Sequence, residues 1–165
     1  MDKPWRMKAL AKLVGFLALA LGAIGAVFLA GMRSKSPAVL DGVRRVSRAT
    51  KGYVLPTAGT PGNAYAIVRH VGRTSGREYE TPMQPVATDD GFAVALPYGP
   101  NTDWLKNVLA AGKATIVYDG KTVDVDHPEV VPMADANRLF PPNQQRMHNL
   151  FRVEDCLLLR TAAVA

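Results

Sequence analysis

The distribution of apolar positions divides the chain into three unequal parts. Leu13–Met32 is a run of 20 positions without a charged residue, long enough as a helix to cross a hydrocarbon core. Lys3, Arg6, Lys8 and Lys12 precede it, with Trp5 as an interfacial anchor, and Arg33 and Lys35 close it. This predicts a transmembrane anchor over residues 1–35. A cleaved signal peptide is the other reading, with small residues at Ala20-Leu21-Gly22 or Ala23-Ile24-Gly25. A core helix without a polar face fits poorly with so small a domain. The basic residues are more numerous after the run, at Arg33, Lys35, Arg44, Arg45, Arg48 and Lys51, which points to a C-terminal domain on the cytoplasmic side. Ala11, Gly15, Ala18, Gly22, Ala26 and Ala30 recur at spacings of three or four, a stripe that lets helices pair in lipid and points to a homodimer. Ala and Gly are also simply common in hydrophobic helices.

Residues 36–63 read as a basic amphipathic helix and a linker. Val39, Leu40, Val43 and Val46 recur at helical spacing over Pro37–Thr50, opposite Arg44, Arg45, Arg48 and Lys51. That basic face suits anionic lipid head groups and suits plain solvation equally. Pro56, Gly59, Pro61 and Gly62 mark a loop.

From Ala64 the pattern becomes that of strands, so residues 64–165 form the third part. Ala64–Val71 and Glu78–Thr88 are rich in β-favouring residues; Pro82 and Pro85 make the second an edge or bent strand. Asp89-Asp90-Gly91 is a tight-turn signal before Phe92–Leu96. Thr102 or Asp103 caps a helix that runs to Ala111 and stops at Gly112. Ala114–Tyr118 and Lys121–Val125 flank Asp119-Gly120, a hairpin with a primed turn. Pro132–Phe140 reads as helical, ending at Pro141-Pro142, and Val153–Ala163 as a last strand with Leu157 and Leu159 on one face. Short strands joined by hairpins, with few helices, predict a mainly β fold, an antiparallel barrel with flanking helices.

Composition narrows the chemistry. The 165 residues are 48% hydrophobic and 21% charged, which is globular and enough for one core. The net charge of +6 and isoelectric point of about 9.7 favour an anionic partner. Nucleic acid is a poor candidate, because the basic residues lack interleaved stacking aromatics. The one cysteine, Cys156, excludes an intrachain disulfide and a paired-cysteine metal or redox motif. No glycine-rich dinucleotide or phosphate-loop motif is present. His70, His127 and His148 have no ligand spacing, so no metal site is expected.

Two segments remain. In His70–Pro82, Gly72 and Gly76 bracket a turn carrying Arg73, Thr74, Ser75 and Arg77. Its amides, hydroxyls and guanidinium groups suit a phosphate or carboxylate; an ordinary basic hairpin turn is the alternative. In Leu96–Val108 a strand ends in the loop Pro97-Tyr98-Gly99-Pro100, which opens a helix whose N-terminus attracts anions. Trp104 and Asn107, three apart, occupy one side of that helix. A core role explains Trp104 readily and Asn107 less so, since a buried amide needs partners.

In order and spacing these segments resemble the deazaflavin-dependent nitroreductase/quinone-reductase family. The resemblance covers about Ala64–Arg160. It rests on Gly72-Arg73-Thr74-Ser75-Gly76 with Pro82 beyond, on the Gly99 loop with Trp104 and Asn107, on the Val123–Val130 region, and on Phe151-Arg152-Val153-Glu154 leading to Leu157 and Leu159. It implies a split β-barrel of the flavin-reductase kind. It also implies an 8-hydroxy-5-deazaflavin coenzyme, the F-420 type, whose phosphate and glutamate tail suits the positive charge. The cofactor contacts it implies are Arg73, Thr74, Ser75, Gly76, Arg77, Tyr79, Pro82, Tyr98, Gly99, Trp104 and Asn107, with Tyr98 the candidate proton donor. The chain departs from the family at Thr74, where a lysine is usual, and at Tyr79, where an arginine is usual. The stretch 143–149 carries none of the tyrosines that line some members' substrate pockets. The implied activity is hydride transfer to a quinone or other electron-poor acceptor. An FMN-binding relative of the same fold and a non-catalytic cofactor carrier are the alternatives.

Overall fold

The computed structural model describes residues 4–163, with side chains from Lys12 onward. Lys3, Trp5 and the other basic residues before Lys12, Ala11 of the small-residue stripe, and the last two residues of the third part therefore fall outside the described side chains. Helix α1 (Pro4–Arg33) contains the apolar run, and α2 (Pro37–Val54) begins with Pro37 in its first turn, where a missing N–H costs nothing. The strands are β1 (Ala66–Val71), β2 (Glu78–Met83), β3 (Val86–Ala87), β4 (Gly91–Ala95), β5 (Lys113–Tyr118), β6 (Lys121–Pro132) and β7 (Asp155–Thr161). Helix α3 (Asp103–Ala111) joins β4 to β5; α4 (Met133–Ala136), a 3₁₀ turn (Asn137–Leu139) and α5 (Pro142–Phe151) join β6 to β7.

All seven strands form one antiparallel sheet in the order β2-β1-β5-β6-β7-β4-β3. The proline-bearing strand β2 is indeed an edge. The sheet curls. Phe92 on β4 and Tyr118 on β5 lie three strand spacings apart, about 14 Å on a flat sheet, yet their rings pack edge to face at 5.7 Å. The bend lies in β6. Its first half pairs with β5 and its second half with β7, and the register shifts between Asp126 and Glu129. His127 there has φ 49°, and Pro128, which has no N–H to give a ladder, occupies the bulge. This curled sheet with flanking helices is the split-barrel architecture expected from the sequence.

Period-two alternation divides the core. Phe92, Val94, Leu157 and Leu159 face inward with Val68, Ile116, Val125 and the α3 residues Leu105 and Val108. Between them, Ala93 and Cys156 face outward and are covered by Met133, Ala136 and Phe140. Both faces of β4 and β7 are therefore buried, the outer one under α4 and Phe140, within the segment that reads as helical in the sequence. Helix α5 is not indicated by the sequence pattern: its segment is polar, and Pro141-Pro142 signals an end, whereas Pro142 opens a helix. The Phe151–Glu154 segment closes α5, with Arg152 in the left-handed conformation, and only then leads into β7.

The turn and stop signals hold at Asp119-Gly120 and at Gly112. Asp119 and Gly120 have φ 50° and 74°, as a type I′ hairpin requires. Gly112 ends α3 at φ 67°. The loop before β1 is fastened to this hairpin: Gly120 N–H donates to Gly59 O at 2.7 Å and Gly62 N–H to Asp119 Oδ1 at 2.9 Å.

Candidate functional site

The turn Gly72–Arg77 joins β1 to β2 at the sheet edge. Gly76 N–H donates to Gly72 O and Gly72 N–H to Arg77 O, each at 2.8 Å. A Cβ at Gly72 would lie 2.7 Å from the Tyr79 ring and closer still to Ser75 Oγ, so both side chains would have to move to admit one. Tyr79 is thus folded back over the turn, and its hydroxyl meets Ser75 Oγ at 3.1 Å.

Arg73 does not hang free. Its Nη1 donates to Asn107 Oδ1 at 2.8 Å, its Nη2 meets Asp103 Oδ1 at 3.1 Å, and its backbone N–H donates to Asn107 Oδ1 at 3.2 Å. The turn is clamped to α3. Asn107 is buried, and its Nδ2 donates to His70 Nδ1 at 3.2 Å. His70, on β1, stacks on Tyr79 directly across the β1–β2 ladder and meets Thr81 Oγ1 through Nε2 at 3.1 Å.

The directions in this chain are determined by its ends. Arg73 can only donate, so Asn107 presents Oδ1 to it and Nδ2 to His70; Nδ1 of His70 then accepts, and Nε2–H donates to Thr81. This requires a neutral imidazole. Burial, and secondarily the charge of Lys51 on α2, holds the pKa of His70 below its ordinary value, in agreement.

Asn107 is thus a buried hydrogen-bonded hub, and Arg73 is a strut as much as a cation. Arg77 is exposed, and among the described residues its guanidinium meets no acceptor. Thr74 and Ser75 form the exposed tip, and Pro82 lies within β2 opposite Ile67.

The second loop lies at the start of α3. Gly99 has φ 72°, where glycine is at ease, and its N–H closes a turn onto Leu96 O at 2.9 Å. Trp104 is half-buried against the inner core. The Tyr98 carbonyl accepts Arg44 Nη2 of α2 at 3.1 Å. Arg44 Nε and Thr102 Oγ1 are both buried without a partner. Nothing in the sequence spacing links Arg44 to Tyr98, 54 positions on. Arg44 and Lys51, seven apart and so on one face of α2, are half-buried towards the domain, while Arg45 and Arg48 are exposed. The basic residues of this helix therefore serve two surfaces.

His148 and Cys156 are held by packing away from the site. His148 is buried against the Phe140 ring and bonded to Asn137 Oδ1 at 3.0 Å, and burial lowers its pKa. Burial pushes the Cys156 thiol up to about 11, so it is not a nucleophile. Among the described residues no cluster of three or more His, Cys, Asp or Glu could hold a metal ion. Residues Lys12–Arg33 are long and apolar enough to cross a membrane.

No protein-family model and no curated protein matches the chain. Among solved structures it is similar to a reductase dependent on reduced F-420 (FDR-A), at 16% identity and a TM-score of 0.44, over 59% of this chain and 95% of that one. It is also similar to the heme storage protein HutZ from Vibrio cholerae, at 12% identity and a TM-score of 0.44, over 62% and 84%. A third likeness is to a protein related to general stress protein 26, of the pyridoxinephosphate oxidase family, from Clostridium acetobutylicum. There the identity is 15% and the TM-score 0.45, over 61% and 75%. The functional reading therefore rests on the site itself.

Proposed function

We propose that the chain is a membrane-anchored oxidoreductase that binds an 8-hydroxy-5-deazaflavin and passes a hydride from it to a quinone or other electron-poor acceptor. The observation that carries the reading is the clamped turn. Arg73 and Asn107 hold Gly72–Gly76 rigidly beside the start of α3, which leaves the tip hydroxyls of Thr74 and Ser75 and the Arg77 guanidinium exposed to a ligand. The donor set thus fits a phosphate- and carboxylate-bearing coenzyme.

The bound coenzyme supplies the hydride chemistry; the protein supplies binding, orientation and exclusion of water. Arg77, Thr74 and Ser75 hold the anionic tail. Trp104, Gly99 and Tyr98 form the edge against which the ring system lies, Gly99 because it has no side chain to bar approach. Tyr98 is the candidate to hold a proton for the acceptor. Residues 1–35 anchor the barrel of residues 64–165 on the cytoplasmic side, within reach of lipid-dissolved acceptors, and the small stripe of α1 pairs two copies.

Titration of the purified chain with deazaflavin, followed by fluorescence, tests binding. Oxidation of the reduced coenzyme on addition of menaquinone tests turnover. Binding without oxidation would make the protein a carrier; binding of FMN in place of deazaflavin would reassign the cofactor; binding of neither would overturn the reading.

A further inference from the structure

Helix α1 does not leave the domain as a free tether. Its C-terminal end is fastened to α5: Arg33 Nη1 donates to Leu150 O at 2.9 Å, and Lys35 Nζ donates to Arg152 O at 2.7 Å. Phe28 packs edge to face on Phe151, with ring centroids 6.3 Å apart. Phe28 lies five residues before Arg33, about 7.5 Å along a helix. If Arg33 and Lys35 sit at the head groups, where the end of an apolar span places its cations, then Phe151 sits at the depth of Phe28, inside the boundary between head groups and acyl chains.

The rest of α5 agrees. Met147, Leu150 and Phe151 are spaced i, i+3 and i+4, hence on one side of the helix. Met147 and Leu150 are 48% and 43% exposed, adjacent on one side of a ten-residue polar helix. Arg146 and Arg152 flank them and are exposed. Apolar side chains rimmed by cations, continuous with a membrane-spanning segment, match the surface of an anionic bilayer.

We infer that α5 is a second membrane element: an interfacial wedge, held at fixed depth by α1, whose Met147, Leu150 and Phe151 enter the bilayer and so fix the orientation of the domain on the membrane. The occupant of this face is phospholipid. The inference rests on the reading of α1 as a retained anchor and goes beyond it, since an anchor alone leaves the domain free to tumble.

Single cysteines test it on the full chain, reconstituted in vesicles of phosphatidylcholine and phosphatidylglycerol. The native Cys156 is buried and leaves introduced cysteines as the labelling sites. Leu21→Cys, Leu150→Cys and Lys113→Cys each receive an environment-sensitive nitrobenzoxadiazole probe, and lipids carry a nitroxide at shallow or deep positions. The Leu21 probe is quenched by the deep nitroxide. The Leu150 probe is blue-shifted and quenched several-fold more by the shallow nitroxide than the Lys113 probe, which stays in water. If Leu21 is quenched while Leu150 behaves as Lys113 does, the anchor stands and the wedge is overturned. If neither Leu21 nor Leu150 is quenched, both fall. A blue-shifted but unquenched Leu150 probe means that protein, not lipid, covers the face, and this also overturns the inference.

Discussion

Asn107 Oδ1 accepts both the backbone N–H of Arg73, at 3.2 Å, and its Nη1, at 2.8 Å, so one buried amide holds an exposed turn by main chain and side chain together. The same amide donates to His70, which donates to Thr81. A helix, a turn and two strands are thereby joined by one directional chain of hydrogen bonds, and loss of any member leaves a neighbour without a partner.

Asn107→Ala is therefore expected to destabilise the domain by about 2 kcal/mol or more, since it strands His70 Nδ1 in a buried place and frees Arg73. Thermal unfolding measures this. Deazaflavin affinity falls as well, because the turn is no longer held. A variant with wild-type stability would show that the amide is not the hub that its contacts describe.

Arg73 and Arg77 separate structure from binding. Arg73→Ala loses the clamp and lowers both stability and deazaflavin affinity. The stability loss is small, about 1 kcal/mol, because the Asp103 contact is exposed and such pairs contribute little. Arg77→Ala leaves stability unchanged and lowers affinity roughly tenfold, the scale of one charged hydrogen bond. Fluorescence titration alongside thermal melts distinguishes the two. Equal affinity of Arg77→Ala and the parent chain would remove that residue from the site.

The pH dependence follows from the same chain. His70 and His148 are both held below their ordinary value of 6.5 in the folded state. Above that value neither state is protonated and these groups contribute nothing. As pH falls through 6.5 the unfolded chain takes up protons that the folded chain refuses, so stability declines until the lowered folded pKa values are reached. Asn107→Asp reverses the sign at His70. A carboxylate accepts where the amide donated, so it favours the imidazolium and raises the His70 pKa. Titration of the His70 ring signals by NMR reads the shift directly; an unmoved His70 pKa would separate the two side chains.

Much of this fold is legible in the sequence because the signals are local. The Asp119-Gly120 hairpin, the Gly112 helix stop and the Leu157/Leu159 alternation each declare themselves within a few residues. The elements missed depend on distance. Helix α5 has no apolar periodicity strong enough to announce it, since much of its apolar face meets α1 or solvent rather than the core. The long strand β6 is broken by His127 and Pro128, so only its first half, Lys121–Val125, reads as a strand, and its second half emerges only when it pairs with β7. Within the site, glycines, arginines and the helix start are visible as a motif. The Asn107–His70 contact joins positions 37 apart, and that of Arg44 with Tyr98 joins positions 54 apart; no spacing rule reaches either.

Two glycines that look alike in the sequence require glycine for different reasons, and substitution separates them. Gly76 has φ 64° with open space around the place of a Cβ. Gly76→Ala therefore meets only the left-handed backbone penalty, about 1 kcal/mol. Gly91 follows Asp89-Asp90 and reads as a turn glycine, yet it begins β4 and pairs with Arg160. A Cβ at Gly91 would overlap the Leu159 carbonyl oxygen and lie 2.9 Å from Arg160 Cα. Both are main-chain atoms of a paired strand and cannot turn aside as a side chain would. Gly91→Ala must push β4 and β7 apart at the end of their ladder, and a cost of about 3 kcal/mol is expected, the upper range for overpacking. Gly76→Ala melts close to the parent chain, whereas Gly91→Ala melts far below it. Hydrogen exchange localises the damage: the amides of β4 and β7 lose protection first in Gly91→Ala, while those of β1 and β5 keep theirs. Similar melting of the two variants would mean that the β4–β7 pairing is looser at Gly91 than the register describes.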